Sequence, residues 1–370
     1  MLLRLACTAA VTASAVLVPA RSTAAPDPGA AQKAPPKSRP VSELLTDLQL
    51  KYRQAERATE TFNATAEKLK KQQADVARLE GRLSGARLAL QESRGAVGRL
   101  ARQQYQNSTD ISPYVRLLMA RDPQHALDEG HVIGQLARER AENVRRLSGS
   151  EKRADELARK ARKALDEKLT LAGQQQKERD EVQRRLTDVE KLLSSLTAEQ
   201  RGLLAEFERN GTAAAQQKLL DSGALGPERT PTAEGDMAVR YAVEQIGKPY
   251  EWGAQGPRAY DCSGLTSQAW GHAGRTIPRT SQEQWAELPH VRLRDLRPGD
   301  LVVYYPEATH VALYLGDGMV VQAPRTGDRV RVSPIAANPI LGAVRPDPLS
   351  RPLRHYELPD QDLTQRQYFF

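Results

Sequence analysis

Cys262, inside "YDCSGLTSQAW" (residues 260–270), is the side chain in this sequence most in need of a chemical explanation. The 370 residues include two cysteines. The other, Cys7, falls in an N-terminal segment that reads as a cleaved leader. A lone thiol in an exported chain has three uses: a buried structural group, an intermolecular partner, or a nucleophile. A nucleophile must ionise, so its ordinary pKa of about 8.5 has to fall. A helix N-terminus and a neighbouring imidazole both favour the thiolate. Asp261 is a natural N-cap, which places Cys262 in the first turn of a helix, "CSGLTSQAWGHAG", among unpaired N–H groups. The same N–H groups suit an oxyanion, and Gly264 leaves room for a substrate backbone. The competing reading is a small buried cysteine on an ordinary helix.

A thiol needs a base. Beyond the leader the histidines are His125, His131, His272, His290, His310 and His355. The first two lie in a long charged helical region, His272 projects from the far end of the Cys262 helix, His290 is in a polar loop, and His355 is in the tail. His310 opens "HVALYLGDGMVVQA", a strand running into a Gly316-Asp317-Gly318 hairpin. With a three-residue loop at 316–318, Ala312 pairs with Gln322, and His310 lies diagonally from Gln322 on the same face. Diagonal neighbours are about 7–8 Å apart, within side-chain reach. Gln322 can then accept from His310 and fix its tautomer. A two-residue loop would send the two side chains to opposite faces and leave Gln322 an ordinary exposed strand residue.

The elements that position these groups form a compact unit at residues 236–345. "MAVRYAVEQIG" reads as an amphipathic helix ending at Gly247, followed by the Cys262 helix. The runs "DLVVYY", "HVALYL", "MVVQA" and "RVRVS" then read as strands. Helices first and an antiparallel sheet after is the α+β class. "RPGD" (297–300) is a turn entering a strand. "IPRTSQEQW" reads as a loop and helix shaping the cleft, with a catalytic role for Arg279 or Ser281 the less economical alternative.

Upstream lies a different kind of chain. Phe62, Leu69, Val76, Leu83, Leu90 and Val97 recur every seven residues, with Leu79, Ala86 and Leu100 in a second row. Leu157, Ala164 and Leu171 form a third row, and Val182, Val189, Leu196 and Leu203 a fourth. A strict seven-residue repeat marks a coiled coil. A break at "NSTDISPYVRLLMARDPQHAL" separates two helices that can each reach about 100 Å. Asp122-Pro123 supplies a start signal for the second helix. The simplest architecture is an antiparallel hairpin; a parallel dimer is the alternative. The expected organisation is a signal peptide (1–25), a Pro-rich linker (26–40), the coiled-coil region (41–209, broken near 110–123), a hinge (210–235), the α+β domain (236–345) and a loosely held tail (346–370).

Residues 236–345 resemble the NlpC-type, papain-like cysteine peptidases of the bacterial cell wall. "GKPYEWGAQGPRAYDCSGL", "IPRTSQEQW", "LRPGDLVVYY" and "HVALYLGDGMVVQAPRTG" carry the resemblance, which covers none of the coil. It implies a papain-like catalytic domain with Cys262 as nucleophile, His310 as base and Gln322 as the orienting third residue. It also implies Tyr250 as a pocket residue beside the oxyanion, and Asp261 and Ser263 in contact with the bound peptide. The third position in the family is more often His. Gln cannot carry charge, but an amide serves in the papain arrangement. The implied reaction is hydrolysis of the amide between the D-glutamate side-chain carboxyl and a diamino acid in peptidoglycan stem peptides. The implied substrates are those peptides, and no cofactor or metal is called for.

The net charge of +8 comes from intermixed rather than blocked charges. It suits an anionic envelope polymer, and with 5% aromatics there is little for base stacking; no nucleic-acid partner is expected. The leader places the protein outside the membrane, in the cell wall. A membrane or divisome protein is the expected partner of the coil, and autoinhibition by the coil is a sensible role for it. The rival from another class is a catalytically silent envelope adaptor that binds wall peptides.

Overall fold

The computed structural model describes residues 40–106, 113–119 and 122–357. The expected leader, the linker up to residue 39 and residues 358–370 lie outside them. Among the described residues no helix is long and apolar enough to cross a membrane.

Among the described residues four helices precede the C-terminal domain: α1 (Val41–Gln106), α2 (Pro113–Leu118), α3 (Pro123–Ser195) and α4 (Ala198–Asp221). α1 has 66 residues and α3 has 73. Asp122 caps α3 through its carboxylate to the His125 N–H, with Pro123 in the first turn. The two long helices run antiparallel: Arg185 Nη1 reaches Gln54, Gln72 Nε2 reaches the Ala164 carbonyl, and Ser150 reaches Ser93. Leu69, Val76 and Leu83 are buried in α1, and Leu157, Ala164, Val182 and Val189 in α3. The seven-residue rows therefore form the seam of a helical hairpin.

The row through Leu203 does not continue. Leu203 is 46% exposed while Leu204 is buried. The chain breaks at Leu196, and a capping box between Thr197 and Gln200 starts α4 in a new phase. That box is written in the sequence as "TAEQ". α4 also runs through residues 210–221, where a hinge was expected to begin.

The C-terminal unit is α+β. Helices α5 (Ala233–Glu244), α6 (Cys262–His272) and α7 (Ser281–Glu287) precede or flank strands β1 (His290–Val291), β2 (Leu301–Tyr304), β3 (His310–Gly316), β4 (Met319–Gln322), β5 (Arg331–Pro334) and β6 (Ile340–Val344). The strand order is β1-β6-β2-β3-β4-β5, antiparallel throughout. α5 and α6 cover one face, burying Val239, Leu265 and Trp270 against Leu301, Val303, Val311 and Leu313. Burying Leu265 or Trp270 stabilises by about 2–3 kcal/mol each. Trp270 also donates its indole N–H to the Gly299 carbonyl at 3.1 Å. On the other face, Val302, Tyr304, Ala312 and Val320 pack under Leu219 of α4 and Leu225.

The described part of the tail is held firmly. Arg297, from the "RPGD" turn, forms a buried ion pair with Asp347 at 2.9 Å. Thr232 also bonds Asp347, and the Leu353 N–H donates to the Pro231 carbonyl at 2.7 Å. Residues 346–353 thus close over the start of the domain, because a buried Arg needs the acceptors they bring.

Candidate active site

Cys262 is the first residue of α6. The Asp261 carboxylate accepts from the Gly264 N–H at 2.6 Å, as an N-cap does. Gly264 serves a different end from the one its sequence position implies: a Cβ there would lie 2.2 Å from the Ala254 carbonyl and 2.7 Å from Asp261 Oδ1. The space is needed by the cap and its loop, not by substrate. Asp261 is fully buried, and Arg279 grips both its oxygens, at 3.1 and 2.7 Å. Arg279 Nη1 also donates to Ser263 Oγ at 2.8 Å. Arg279 is therefore the strut that fixes the Asp261–Ser263 turn. Ser281 donates its hydroxyl to the Ala308 carbonyl at 2.7 Å, just before His310.

β3 and β4 pair with Leu313 opposite Val321 and Tyr314 opposite Val320, but Gly316 opposite Met319. The turn is thus two residues, Asp317 and Gly318, both at positive φ (51° and 68°), rather than the expected three. A bulge at Leu315 adds the missing residue and restores the register that sets Ala312 opposite Gln322. His310 and Gln322 consequently share a face. His310 Nε2 and Gln322 Oε1 are 2.6 Å apart, and both residues are buried, at 1% and 3% exposure. With Gln322 accepting, Nε2 carries the proton and Nδ1 keeps its lone pair. Nδ1 is buried without a hydrogen-bond partner. The backbone N–H of Val311, the residue after His310, is near enough to the Cys262 sulfur to favour its thiolate. The fold therefore brings the thiol and the β3 start together. His272 lies elsewhere, stacked on Tyr241, and His290 is stacked on Trp285. Tyr250 is buried close enough for the Cys262 and Asp261 charges to bear on its hydroxyl.

Sequence reasoning missed who else is present. Helix α1 lies against this site. Glu60 is 1% exposed; its Oε1 accepts from Ser263 Oγ at 2.7 Å and from the Cys262 thiol at 3.7 Å, and its Oε2 from the Ser281 N–H at 2.8 Å. Asn63 Nδ2 donates to Asp261 Oδ2 at 3.0 Å. Glu56 Oε1 lies 3.7 Å from His310 Nδ1. Phe62, assigned by its spacing to the coil seam, stands edge-on to Trp252, with ring centroids 5.1 Å apart.

This cover sets the protonation states. Burial, then the charges of Glu60, Asp261 and Glu56, push the Cys262 thiol well above its ordinary value, against the Val311 N–H. Burial lowers His310 to about 4, opposed by its bond to Gln322. Burial raises Glu56 to about 8 and Glu60 to about 7. Thiol and imidazole are both neutral here, and the Glu56–His310 approach is a contact between neutral groups rather than an ion pair. The expected lowering of the thiol pKa by the helix N-terminus is outweighed while α1 excludes water and adds carboxyls.

A helix led by a cysteine, packed on an antiparallel sheet whose strand begins with a histidine, is the papain-like α+β architecture. Within it, residues 247–342 match the NlpC/P60 family model, and the C-terminal domain belongs to that family. A protein of Corynebacterium glutamicum (strain R) named "Probable endopeptidase" is 42% identical over 128 residues, covering 34% of this chain and 61% of that protein. "Peptidoglycan endopeptidase RipB" of Mycobacterium tuberculosis is 37% identical over 128 residues, 30% of this chain and 53% of its own length. The chain thus spans a little over half the length of these curated relatives. Among solved structures, RipD of M. tuberculosis, described as a non-catalytic NlpC/p60 domain protein adapted to peptidoglycan binding, is 33% identical. The match covers 30% of this chain and 96% of that one, with a TM-score of 0.28.

Proposed function

We propose that the protein is an exported peptidoglycan hydrolase that cleaves the amide between the D-glutamate side-chain carboxyl and the diamino acid of stem peptides. The helical hairpin positions and regulates its catalytic domain. The observation that carries the reading is Cys262 at the capped start of α6, with His310 of β3 oriented by Gln322 at 2.6 Å. The family membership and the names of the relatives support the substrate class.

In the reaction, His310 Nδ1 takes the Cys262 proton and the thiolate attacks the scissile carbonyl. The tetrahedral oxyanion accepts from the Cys262 N–H and the Tyr250 hydroxyl. The C–N bond then breaks, and the imidazolium returns its proton to the leaving amine. Water, deprotonated by His310, attacks the thioester and releases the glutamyl carboxylate and the thiol. Gln322 holds the imidazole in the tautomer that leaves Nδ1 free. Asp261 keeps the turn in place through Arg279, and Ser263 offers its hydroxyl to the peptide.

The test is mass spectrometry of soluble stem peptides incubated with residues 227–370, beside Cys262→Ala. Cleavage after D-glutamate by the wild type alone is the expected result. Cleavage at another bond would overturn the specificity, and no cleavage across several stem-peptide types would favour a peptide-binding adaptor.

A further inference from the structure

The "IPRTSQEQW" segment places two buried side chains, two residues apart, on opposite sides of the cysteine and the histidine. Arg279 holds Asp261, the residue before Cys262, at 3.1 and 2.7 Å. Ser281 Oγ donates to the carbonyl of Ala308, two residues before His310, at 2.7 Å. Between them, Thr280 caps α7, its hydroxyl accepting from the Glu283 N–H. Gln284, in the first turn of α7, ties the same segment to α6. It accepts from Thr266 Oγ1 at 3.0 Å and donates to the Pro278 carbonyl at 2.9 Å. A capped, cross-bonded helix start therefore reaches the turn that presents the thiol and the loop that presents the imidazole.

That loop does not hold its shape by backbone preference. β2 and β3 pair as far as Tyr304 opposite His310, so residues 305–309 form the connection. Tyr305 and Ala308 both have positive φ, 63° and 51°. For residues with a Cβ this conformation is disfavoured about tenfold, and it persists where the surroundings fix it. The Tyr305 end is fixed by its N–H to the Pro339 carbonyl at 2.9 Å and its hydroxyl to Asn338 Oδ1 at 2.7 Å. The Ala308 end, nearer His310, is fixed by its N–H to the Tyr305 carbonyl at 2.9 Å and by Ser281. Gln282 Oε1 also faces the Ser281 hydroxyl, but at 3.4 Å, so the proton goes to Ala308.

We propose that Ser281 is a positioning residue for His310. Its hydroxyl holds Ala308 in the left-handed conformation, and that conformation sets the direction in which the chain enters β3 and where the imidazole stands relative to Cys262. With Arg279 on the other side, the start of α7 fixes the separation of thiol and base. The inference rests on the reading of Cys262 and His310 as the reacting pair. The Ser281 hydroxyl takes no part in proton transfer, because its proton is committed to the Ala308 carbonyl.

The test uses the full chain and compares wild type, Ser281→Ala, and Ser281→Ala combined with Ala308→Gly. Amide hydrogen exchange of residues 305–311 is read by mass spectrometry. The His310 ring nitrogens are read by NMR of histidine-labelled protein, assigned from the signals lost in His310→Gln. Ser281→Ala should raise the exchange about tenfold, the change expected when a buried carbonyl loses its donor, and should shift the His310 ring signals. Adding Ala308→Gly should return exchange to within about threefold of wild type and restore those signals, because glycine takes a positive φ without a hydrogen bond to hold it. Ser281→Cys, which keeps the volume and weakens the donor, should raise exchange about threefold and carries the test if Ser281→Ala does not fold. Ser281→Ala keeps the backbone N–H, so iodoacetamide alkylation of Cys262 should stay within about twofold of wild type. A lower Tm with unmoved His310 signals would make Ser281 merely structural and overturn the proposal. So would an effect that Ala308→Gly does not reduce, or an alkylation rise of about tenfold, which would mean a loosened cleft and not a displaced β3. Because these readouts report geometry and not hydrolysis, a chain that never cleaves wall peptide can still pass or fail this test.

Discussion

Helix α1 makes two kinds of contact along one rod. Toward α3 it offers Leu69, Val76, Leu83 and Ala86, a dry seam repeating every seven residues with charges left to solvent. Toward the Cys262 cleft it offers Glu60 and Asn63, buried and individually hydrogen-bonded, and the half-buried Glu56, 3.7 Å from His310 Nδ1. The apolar seam is tolerant and additive, since each side chain contributes by area. The polar contact is conditional, since its worth depends on every partner being present and in one protonation state. One helix can therefore be permanent on one side and releasable on the other.

Substitutions should separate the two sides. Cys262→Ala in residues 227–370 should lower stem-peptide hydrolysis by at least about 10³-fold with little change in Tm. Hydrolysis that survives it would move the chemistry away from α6. Gln322→Ala should lower kcat by about 10- to 100-fold, as loss of an orienting partner does. Gln322→Glu should move the acid limb of the pH profile upward, because a carboxylate favours the imidazolium; an unmoved limb would mean that Gln322 does not govern His310. On the seam side, Leu157→Ala, which packs among Leu83, Ala86 and Ala154, should cost about 2–4 kcal/mol in thermal unfolding and leave Cys262 alkylation as slow as before. A parallel rise in alkylation would show that the two faces of α1 are coupled.

The contact with the cleft should also respond to pH. Glu60 faces Asp261, Cys262 and Arg279, and Glu56 faces His310, Arg325 and Arg53. Both carboxyls have seated pKa values above the ordinary one, so the seated form binds more protons. Their stabilisation is complete below the ordinary carboxylate range and is lost as pH rises through about 7 for Glu60 and about 8 for Glu56. The Tm of the full chain should fall between about pH 6 and about pH 9 more steeply than that of the Glu56→Gln, Glu60→Gln double variant. Parallel curves would remove the carboxyls from the account. The smallest effect is expected at the exposed Lys160–Glu156 pair of the hairpin, where Lys160→Ala should leave Tm within about one degree.

Cys262, His310 and Gln322 were legible because each is announced locally: an N-cap before the cysteine, and a hairpin whose geometry carries histidine and glutamine together. β2 to β5 were legible from their apolar runs. β6 was not, since "ILGAV" is short, contains Gly342 and is paired far from its neighbours in sequence, between β1 and β2. Glu60 was the deepest miss. It is 202 residues from Cys262, and a glutamate on a charged helix normally signals a solvated face. The available signal was "TETFNATAEK", where Thr, Asn and an aromatic interrupt a run of better helix formers. Phe62 faces Trp252 rather than the seam, so the one aromatic in that run marked the docking side.

The β3–β4 hairpin leaves a different kind of consequence. Between His310 and Gln322 the chain spends one residue in a bulge and two in the turn, Asp317 and Gly318. Strand faces alternate residue by residue, so His310 and Gln322 share a face because the bulged residue stands outside the ladder and leaves Ala312 opposite Gln322. Deleting one paired residue of β3, such as Leu313, would keep the composition of the site while inverting its parity. Gln322 would then point away from the imidazole, and the error would be felt at the proposed reactive centre although every residue assigned a role there was still in the chain.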